Sequence, residues 1–442
     1  MPSKSCCTQL VGFCDSLALS LNKNIRSDVV YFDFAKAFDS VNHDLILHKL
    51  KTQYHIDGLL LKFISNYLKD RKQAVVIGNR KSSVCTVVSG VPQGSIIGPS
   101  LFILFLNDIT DGLSPGTNIN MYADDTKIWR EIIYESDHNI LQKDIDYLMD
   151  WALQNKMKFH PLKCKVLMVS HSRPPLVDIL PEIQFYYSMG QDILDYCDLE
   201  QDLGIYINGT LNWTYHCDKL YSKANQMLGL LKRTCHFVTN SQMKRTLYLT
   251  LVRSQFEHCP IIWKPSAFTS IEKLESIQKR SFKWILDDES VSYSSNEYLY
   301  HTHCKQLNIL PIRHRFDYHD LKFFHSVVHG YSCVSLPEYI KPFSGTQLRH
   351  SHLDSKCFVS EIIPRNLNTR QNFGFTKPKN FSNSFFYRVH LAWNNLPLCI
   401  RELDNPTEFK IELVKFIWEE IEKVGRLNMA RDDNSYLSDS ND

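Results

Sequence analysis

Ile119-Asn120-Met121-Tyr122-Ala123-Asp124-Asp125-Thr126-Lys127-Ile128-Trp129 decides how the rest of the chain is read. Ile119 and Met121 alternate with polar neighbours on one side of an Asp-Asp pair, and Ile128 and Trp129 follow on the other, the pattern of two short strands joined by a tight turn. The predicted hairpin carries two negative charges at its tip. Adjacent carboxylates repel unless a cation lies against them, and Mg²⁺ favours oxygen ligands while keeping water that a phosphate can displace. An Asp-Asp pair in isolation is more often a solvated turn, so the upstream residues decide.

Residues 8–21 have helical periodicity, and Val29-Val30-Tyr31-Phe32 reads as a buried strand ending on Asp33. A lone carboxylate with apolar flanks needs a cation or a hydrogen-bond partner. Phe34 to Asp39 turns into a helix, residues 44–69 are helical with a break at Asp57-Gly58, and Gln73 to Gly78 reads as a strand. Ser89-Gly90-Val91-Pro92-Gln93-Gly94-Ser95 is a turn leading into a helix from Ser100 to Leu106. Its small residues admit close approach by a ligand, and the Gln93 amide can hydrogen-bond one. Farther on, Asp137 caps a helix with Leu141, Ile145, Leu148 and Ala152 on one face, and Val166 to Val169 forms a strand shortly after Lys163. This order predicts an α+β fold, an antiparallel sheet backed by helices, on which Asp33, Asp124 and Asp125 converge. Three carboxylates so placed suit catalysis by two metal ions ~3.5–4 Å apart.

With 442 residues the chain has length for two or three domains, and 43% apolar with 22% charged residues is the composition of a folded protein. Its thirteen cysteines are scattered with no Cys-x-x-Cys, which predicts reduced thiols and a nuclear or cytoplasmic setting rather than a disulfide framework or zinc ribbon. No secretion signal or membrane-spanning stretch is read from the sequence. Net charge is only +2, yet between Trp213 and Ile285 twelve lysines and arginines stand against four acids. That helical region is a candidate phosphate-contacting surface, with a solubilising helix face as the plain alternative. His301, His303 and Cys304, or His314, His325 and His329, lack the regular spacing of a zinc site. Phe282, Trp263 and Trp284 sit at helical spacing and read as core rather than base-stacking platforms.

Tyr31 to Val41, Gly90-Val91-Pro92-Gln93-Gly94-Ser95 and Tyr122-Ala123-Asp124-Asp125 closely resemble motifs A, B and C of reverse transcriptases, and Gly98-Pro99-Ser100-Leu101-Phe102 with Asn107-Asp108 resembles the wording of LINE-type, jockey-like non-LTR retrotransposons. Three motifs in order are a specific signal. The resemblance implies a right-hand polymerase palm followed by a helical thumb, acting as an RNA-directed DNA polymerase on an RNA template, a DNA primer and dNTPs with two Mg²⁺ ions. By the same resemblance Asp33 and Asp124 would hold the metals, with Asp125 beside them and the Phe34 carbonyl completing a shell. Phe38 falls at the steric gate against a ribose 2′-hydroxyl, Gln93 and Gly94 would line the nucleotide pocket, and Lys163 falls at the motif D lysine that would protonate pyrophosphate.

Leu203-Gly204-Ile205 resembles the motif E primer grip, and Lys219, Lys223, Lys232, Arg233, Lys244, Arg245 and Arg253 would contact nucleic acid from the thumb. His160 stands where relatives often carry Asn. Leu310 to Asp317 and Trp393-Asn394-Asn395-Leu396-Pro397 resemble the C-terminal region of the same elements. The expected divisions are a palm with partial fingers over 1–200, primer grip and thumb over 201–288, a C-terminal retroelement region over 289–426, and a disordered tail over 427–442. Ser5 to Leu10 resembles a mid-domain segment, so the fingertips that clamp the triphosphate and an apurinic-type endonuclease domain are expected to be missing. The second expectation is therefore a truncated remnant that binds nucleic acid without turnover.

Overall fold

The computed structural model describes residues 4–171, 185–293, 296–343, 354, 356–362 and 381–435. Helix α1 (Cys6–Asn22) leads into strand β1 (Arg26–Phe32), whose β-branched and aromatic residues fill both sides of a buried position in a sheet. The helix expected from Phe34 starts later. Phe34 forms a β-bridge with Phe159, and only after Lys36, at φ +53°, does the one-turn helix α2 (Ala37–Ser40) begin. Helix α3 (His43–Thr52) is capped by the Asn42 side chain, which accepts from Leu45 N at 3.0 Å, and α4 (Gly58–Leu68) follows the expected break.

The strand expected at 73–78 is instead a nest of two-residue pieces, β2 (Lys72–Gln73), β3 (Val76–Ile77), β4 (Arg80–Lys81) and β5 (Cys85–Thr86), with β3 paired to β4 inside β2 paired to β5. Helix α5 (Gly98–Leu106) then precedes the hairpin of β6 (Asn118–Tyr122) and β7 (Asp125–Ile132). In α6 (Glu135–Gln154) the cap position is Tyr134, not Asp137. Asp137 lies in the first turn, where its carboxylate accepts from Ile133 N at 3.0 Å and Tyr134 N at 2.9 Å.

Strands β8 (Lys165–Val169), β9 (Ser188–Met189), β10 (Asp192–Ile193), β11 (Asp195–Cys197), β12 (Leu199–Asp202) and β13 (Ile205–Asn208) complete this part of the chain. The main sheet has the order β11-β8-β1-β7-β6. It is antiparallel except at one edge, where β11 runs parallel to β8, so the expected all-antiparallel sheet is corrected there. Leu141, Ile145 and Leu148 of α6 and Phe102 and Phe105 of α5 pack with Val30, Phe32, Ile128 and Val166 of the sheet in one core. A buried ion pair, Lys127 with Asp202, ties β7 to the end of β12.

The chain forms two compact units, Lys23–Leu203 with Asn208–Thr210, and Met1–Asn22 with Gly204–Ile207 and Leu211–Asp442. Helix α1 thus belongs with the second unit rather than the palm. Helices α7 (Thr214–Thr234), α8 (Ser241–Leu247), α9 (Pro260–Trp263), α10 (Phe268–Leu286), α11 (Glu297–Gln306) and α12 (Ile312–Val328), the strand pair β14 (Ile340–Pro342) and β15 (Phe358–Ser360), and helices α13 (Phe385–Asn394), α14 (Leu398–Arg401) and α15 (Pro406–Ser435) make up the rest.

No break falls at residue 289. Trp263 meets Phe316 edge-on at 5.2 Å, Lys264 pairs with Asp317 at 2.6 Å and Asp320 at 3.0 Å, and Arg388 closes on Asp320 at 2.8 Å, so residues on either side of 289 share one interior. Helix α15 runs to Ser435, into the stretch expected to be a disordered tail, and residues 436–442 lie outside the described residues.

Two buried acids give stability tests. In the second unit Tyr339 OH donates to both Asp15 oxygens at 2.7 and 2.9 Å, and burial pushes the Asp15 carboxyl up to about 6. The native state then holds a proton that the unfolded chain releases near pH 4, so this group's stabilisation is present in acid and lost as pH rises from about 4 to about 6, by ~3 kcal/mol. We predict that Asp15→Asn flattens that loss, read as urea midpoints at pH 4.5 and 7. In the first unit, Lys127→Met leaves Asp202 buried without its cation and is expected to cost ~3–5 kcal/mol by the same titration, while the double change Lys127→Met with Asp202→Leu recovers most of it.

Candidate active site

The register of two ladders builds the site. Phe32 pairs with Thr126 and Tyr122 with Asp125, so Asp33 emerges from β1 level with the start of β7. The hairpin loop is Ala123-Asp124, with Ala123 at φ +54°; Asp124 sits in the turn and Asp125 is the first residue of β7. Past Asp33 the chain zips onto a second segment. His160 N donates to Asp33 O at 2.8 Å, Ala35 N to Lys158 O at 2.8 Å, and Phe34 stacks on Phe159 at 4.3 Å. Lys163, carried by the same segment, places Nζ 3.2 Å from Asp33 Oδ2. The Cys164 thiol beneath receives Asp33 N at 3.4 Å.

Charge is concentrated here. Partial burial, then Asp124, Asp202 and Asp33, push the Asp125 carboxyl above its usual range against the pull of Lys127. Repulsion of that kind is what a hard cation relieves, and an all-oxygen donor set fits Mg²⁺. Among the described residues, however, no three acids, histidines or cysteines already converge on one ion position. The expected three-carboxylate convergence is thus an approach of acids along two strand ends rather than a closed ligand set, with Lys163 supplying the counter-charge at Asp33.

The motif A and motif B residues also meet. Phe38 stacks on Phe102 at 4.3 Å, and Gln93 Nε2 donates to Asp39 Oδ1 at 3.2 Å. Gly90, at φ +90°, could carry no side chain, since a Cβ would lie 2.8 Å from Asp39 Cα. Gly94 is at φ +77° with open space around it. Sequence reading assigned no role to Asp39, or to buried His43, whose Nε2 bonds Gly90 O at 2.9 Å. The signal for Asp39 was present, inside motif A, but its partner lies 54 positions away.

Leu203 and Gly204 take consecutive left-handed conformations, φ +46° and +85°, and Ile205 is buried. The division between the two units falls inside this trio, between Leu203 and Gly204.

The basic set needs correction. Lys244 is buried and pairs with Asp287, Arg253 is buried with Nη1 donating to Leu310 O at 3.0 Å, and Arg245 Nε donates to Leu307 O at 2.6 Å. Lys232 pairs with Glu289 at 2.9 Å. These four bind their own chain; Lys219, Lys223 and Arg233 remain exposed on α7. Two of the histidines set aside above have internal partners, His303 with Tyr293 OH at 2.7 Å and His325 with Leu403 O at 2.7 Å. None of the cysteines is in a disulfide, and no helix among the described residues is long and apolar enough to cross a membrane.

The chain is similar to several known proteins. The chain is 23% identical over 279 residues to the RNA-directed DNA polymerase from mobile element jockey of Drosophila funebris, covering 60% of this chain and 29% of that protein. It is 25% identical over 288 residues to the probable RNA-directed DNA polymerase from transposon BS of Drosophila melanogaster, covering 59% and 29%. The chain therefore spans less than a third of these relatives' length. Among solved structures it is similar to telomerase of Candida tropicalis in complex with a fragment of telomeric RNA, at TM-score 0.35 and 11% identity, covering 70% of this chain and 46% of that one. Residues 3–229, just over half of the chain, match the family Reverse transcriptase (RNA-dependent DNA polymerase), and the chain belongs to that family.

Proposed function

We propose that this chain carries the polymerase core of a non-LTR retrotransposon reverse transcriptase, extending a DNA primer 3′-end along an RNA template with dNTPs. The observation that supports it best is the level placement of Asp33 and the Asp124-Asp125 hairpin tip, with Lys163 at Asp33. Asp33 and Asp124 would hold two Mg²⁺ ions, with Asp125 and the Phe34 carbonyl beside them; when bound, such ions activate the primer hydroxyl and stabilise the leaving oxygen.

The protein's share is placement. Phe38, fixed on Phe102, crowds the sugar 2′ position, while Gln93 and Gly94 flank the nucleotide. Lys163, exposed at Nζ, donates a proton to departing pyrophosphate. Leu203-Gly204-Ile205 supports the primer. On α7, Tyr215, Lys219, Lys223 and Arg233 fall within roughly 80° of helix circumference at 100° per residue, an exposed stripe suited to a phosphate backbone. The alternative reading is that the chain binds nucleic acid without turnover.

Primer extension on poly(rA)·oligo(dT) with Mg²⁺ separates the two. Incorporation by the wild type, reduced at least ~10²-fold in Asp124→Asn, is expected; no incorporation with duplex still bound establishes the second reading, and incorporation indifferent to Asp124→Asn rejects the site. Binding gives an independent prediction. Replacing Lys219, Lys223 and Arg233 with Gln should flatten the slope of log affinity against log salt by about 2 to 3, whereas Lys244→Gln leaves the slope unchanged and lowers the melting temperature.

A further inference from the structure

Motif A and motif B are joined by more than proximity, and the join ends on a side chain. The Lys36 carbonyl receives Asp39 N and Ser40 N, both at 3.0 Å, which closes the single turn of α2. On one side of that turn Phe38 points inward onto Phe102; on the other Asp39 is exposed. The 89–91 loop is then laid along it. Gly90 N donates to Val41 O at 2.8 Å, Val91 N to Phe38 O at 2.9 Å, and Ser89 Oγ to Asp39 O at 2.9 Å. His43 Nε2 holds the Gly90 carbonyl from below at 2.9 Å. With the backbones so fixed, Gln93 brings its amide to the Asp39 carboxylate, Nε2 to Oδ1 at 3.2 Å.

A carboxylate only accepts, so it decides which end of the amide faces it. The Gln93 N–H is turned to Asp39, and Oε1 is directed elsewhere. An exposed glutamine without such a partner samples its rotamers and both amide orientations, and a ligand that uses it must bear the cost of ordering it.

We propose that Asp39 is a positioning residue that orients the Gln93 amide for the incoming nucleotide, so that loss of its carboxylate weakens nucleotide binding without touching the reacting atoms. The inference rests on the polymerase reading above and assigns Asp39 a role separate from the acids at the strand ends. Asp39 holds the amide's donor end; the nucleotide meets an amide already oriented.

The test compares wild type, Asp39→Ala, Asp39→Asn, Gln93→Ala and the double variant Asp39→Ala/Gln93→Ala. Binding of a fluorescent dATP is measured with Ca²⁺ to prevent turnover, and KM for dNTP, KM for primer-template and kcat are measured with Mg²⁺. Asp39→Ala should weaken dATP binding and raise KM for dNTP by about three- to tenfold, the effect of one exposed hydrogen bond of ordinary strength, leaving KM for primer-template and kcat within about twofold. Asp39→Asn, which keeps an acceptor oxygen, should recover most of the loss, and the double variant should bind no worse than Gln93→Ala alone.

Nucleotide binding indifferent to Asp39→Ala in an active wild type, or losses that add in the double variant, overturn the inference and leave the polymerase reading intact. A wild type that binds no nucleotide overturns both. A lowered melting temperature with KM for primer-template and KM for dNTP rising together identifies Asp39 as merely structural and overturns the inference as well.

Discussion

Strand β1 is paired on both flanks, and the geometry of the site follows from that constraint. Seven of its residues face β7 and five face β8. A slip of one residue on either side would turn Val30 and Phe32 out of the core, so the apolar face sets the register. Once Phe32 is opposite Thr126, Asp33 has no freedom but to emerge beside the first residue of β7. The acidic end of the strand and its apolar body are two consequences of one alignment.

Acids gathered at one sheet end destabilise the fold unless charge is supplied locally. The chain supplies it unequally. Lys127, two residues from Asp125 and on the same face of β7, is buried and committed to Asp202, so it offsets part of the field at Asp125 and cannot be withdrawn cheaply. Lys163 is 62% exposed and its partner Asp33 43%, which makes their pair weak and readily exchanged. One lysine is therefore part of the scaffold and the other is free to change partner.

What could be read from the sequence was whatever depends on neighbours along the chain. Alternation around Asp124-Asp125 gave the hairpin, Leu141, Ile145 and Leu148 gave the buried face of α6, and the Asp57-Gly58 break separated α3 from α4. Distant partners were invisible. Phe34 is held extended by Phe159, so helical periodicity through Lys36 started α2 too early. The parallel pairing of β11 with β8 depends on a crossover that no local pattern encodes. Asp15, an unremarkable helix residue by sequence, is buried against Tyr339, 324 positions away. The motif resemblance named Gln93 but not Asp39, whose contact with it exists only after two loops have docked.

The same limit explains why a basic composition overstated the basic surface. Short helices packed around Trp263 and Phe316 bring lysines and arginines inside, and a buried cation persists only with an acid or carbonyl against it. Lys244 takes Asp287, Lys264 takes Asp317 and Asp320, and Arg253 takes Gln278 and Leu310 O, partners lying 25 to 57 positions away where a charge count over one window gives no hint of pairing. Of the seven expected contacts, Lys244 and Arg253 are lost in this way and Lys232 and Arg245 bind Glu289 and Leu307 O, which leaves Lys219, Lys223 and Arg233 on α7. From first to last they span about 21 Å at 1.5 Å per residue, near six base pairs of rise at 3.4 Å each. A track that narrow along one helix is a better match to a single phosphate backbone than a diffuse patch of seven charges, because each charge faces the same line.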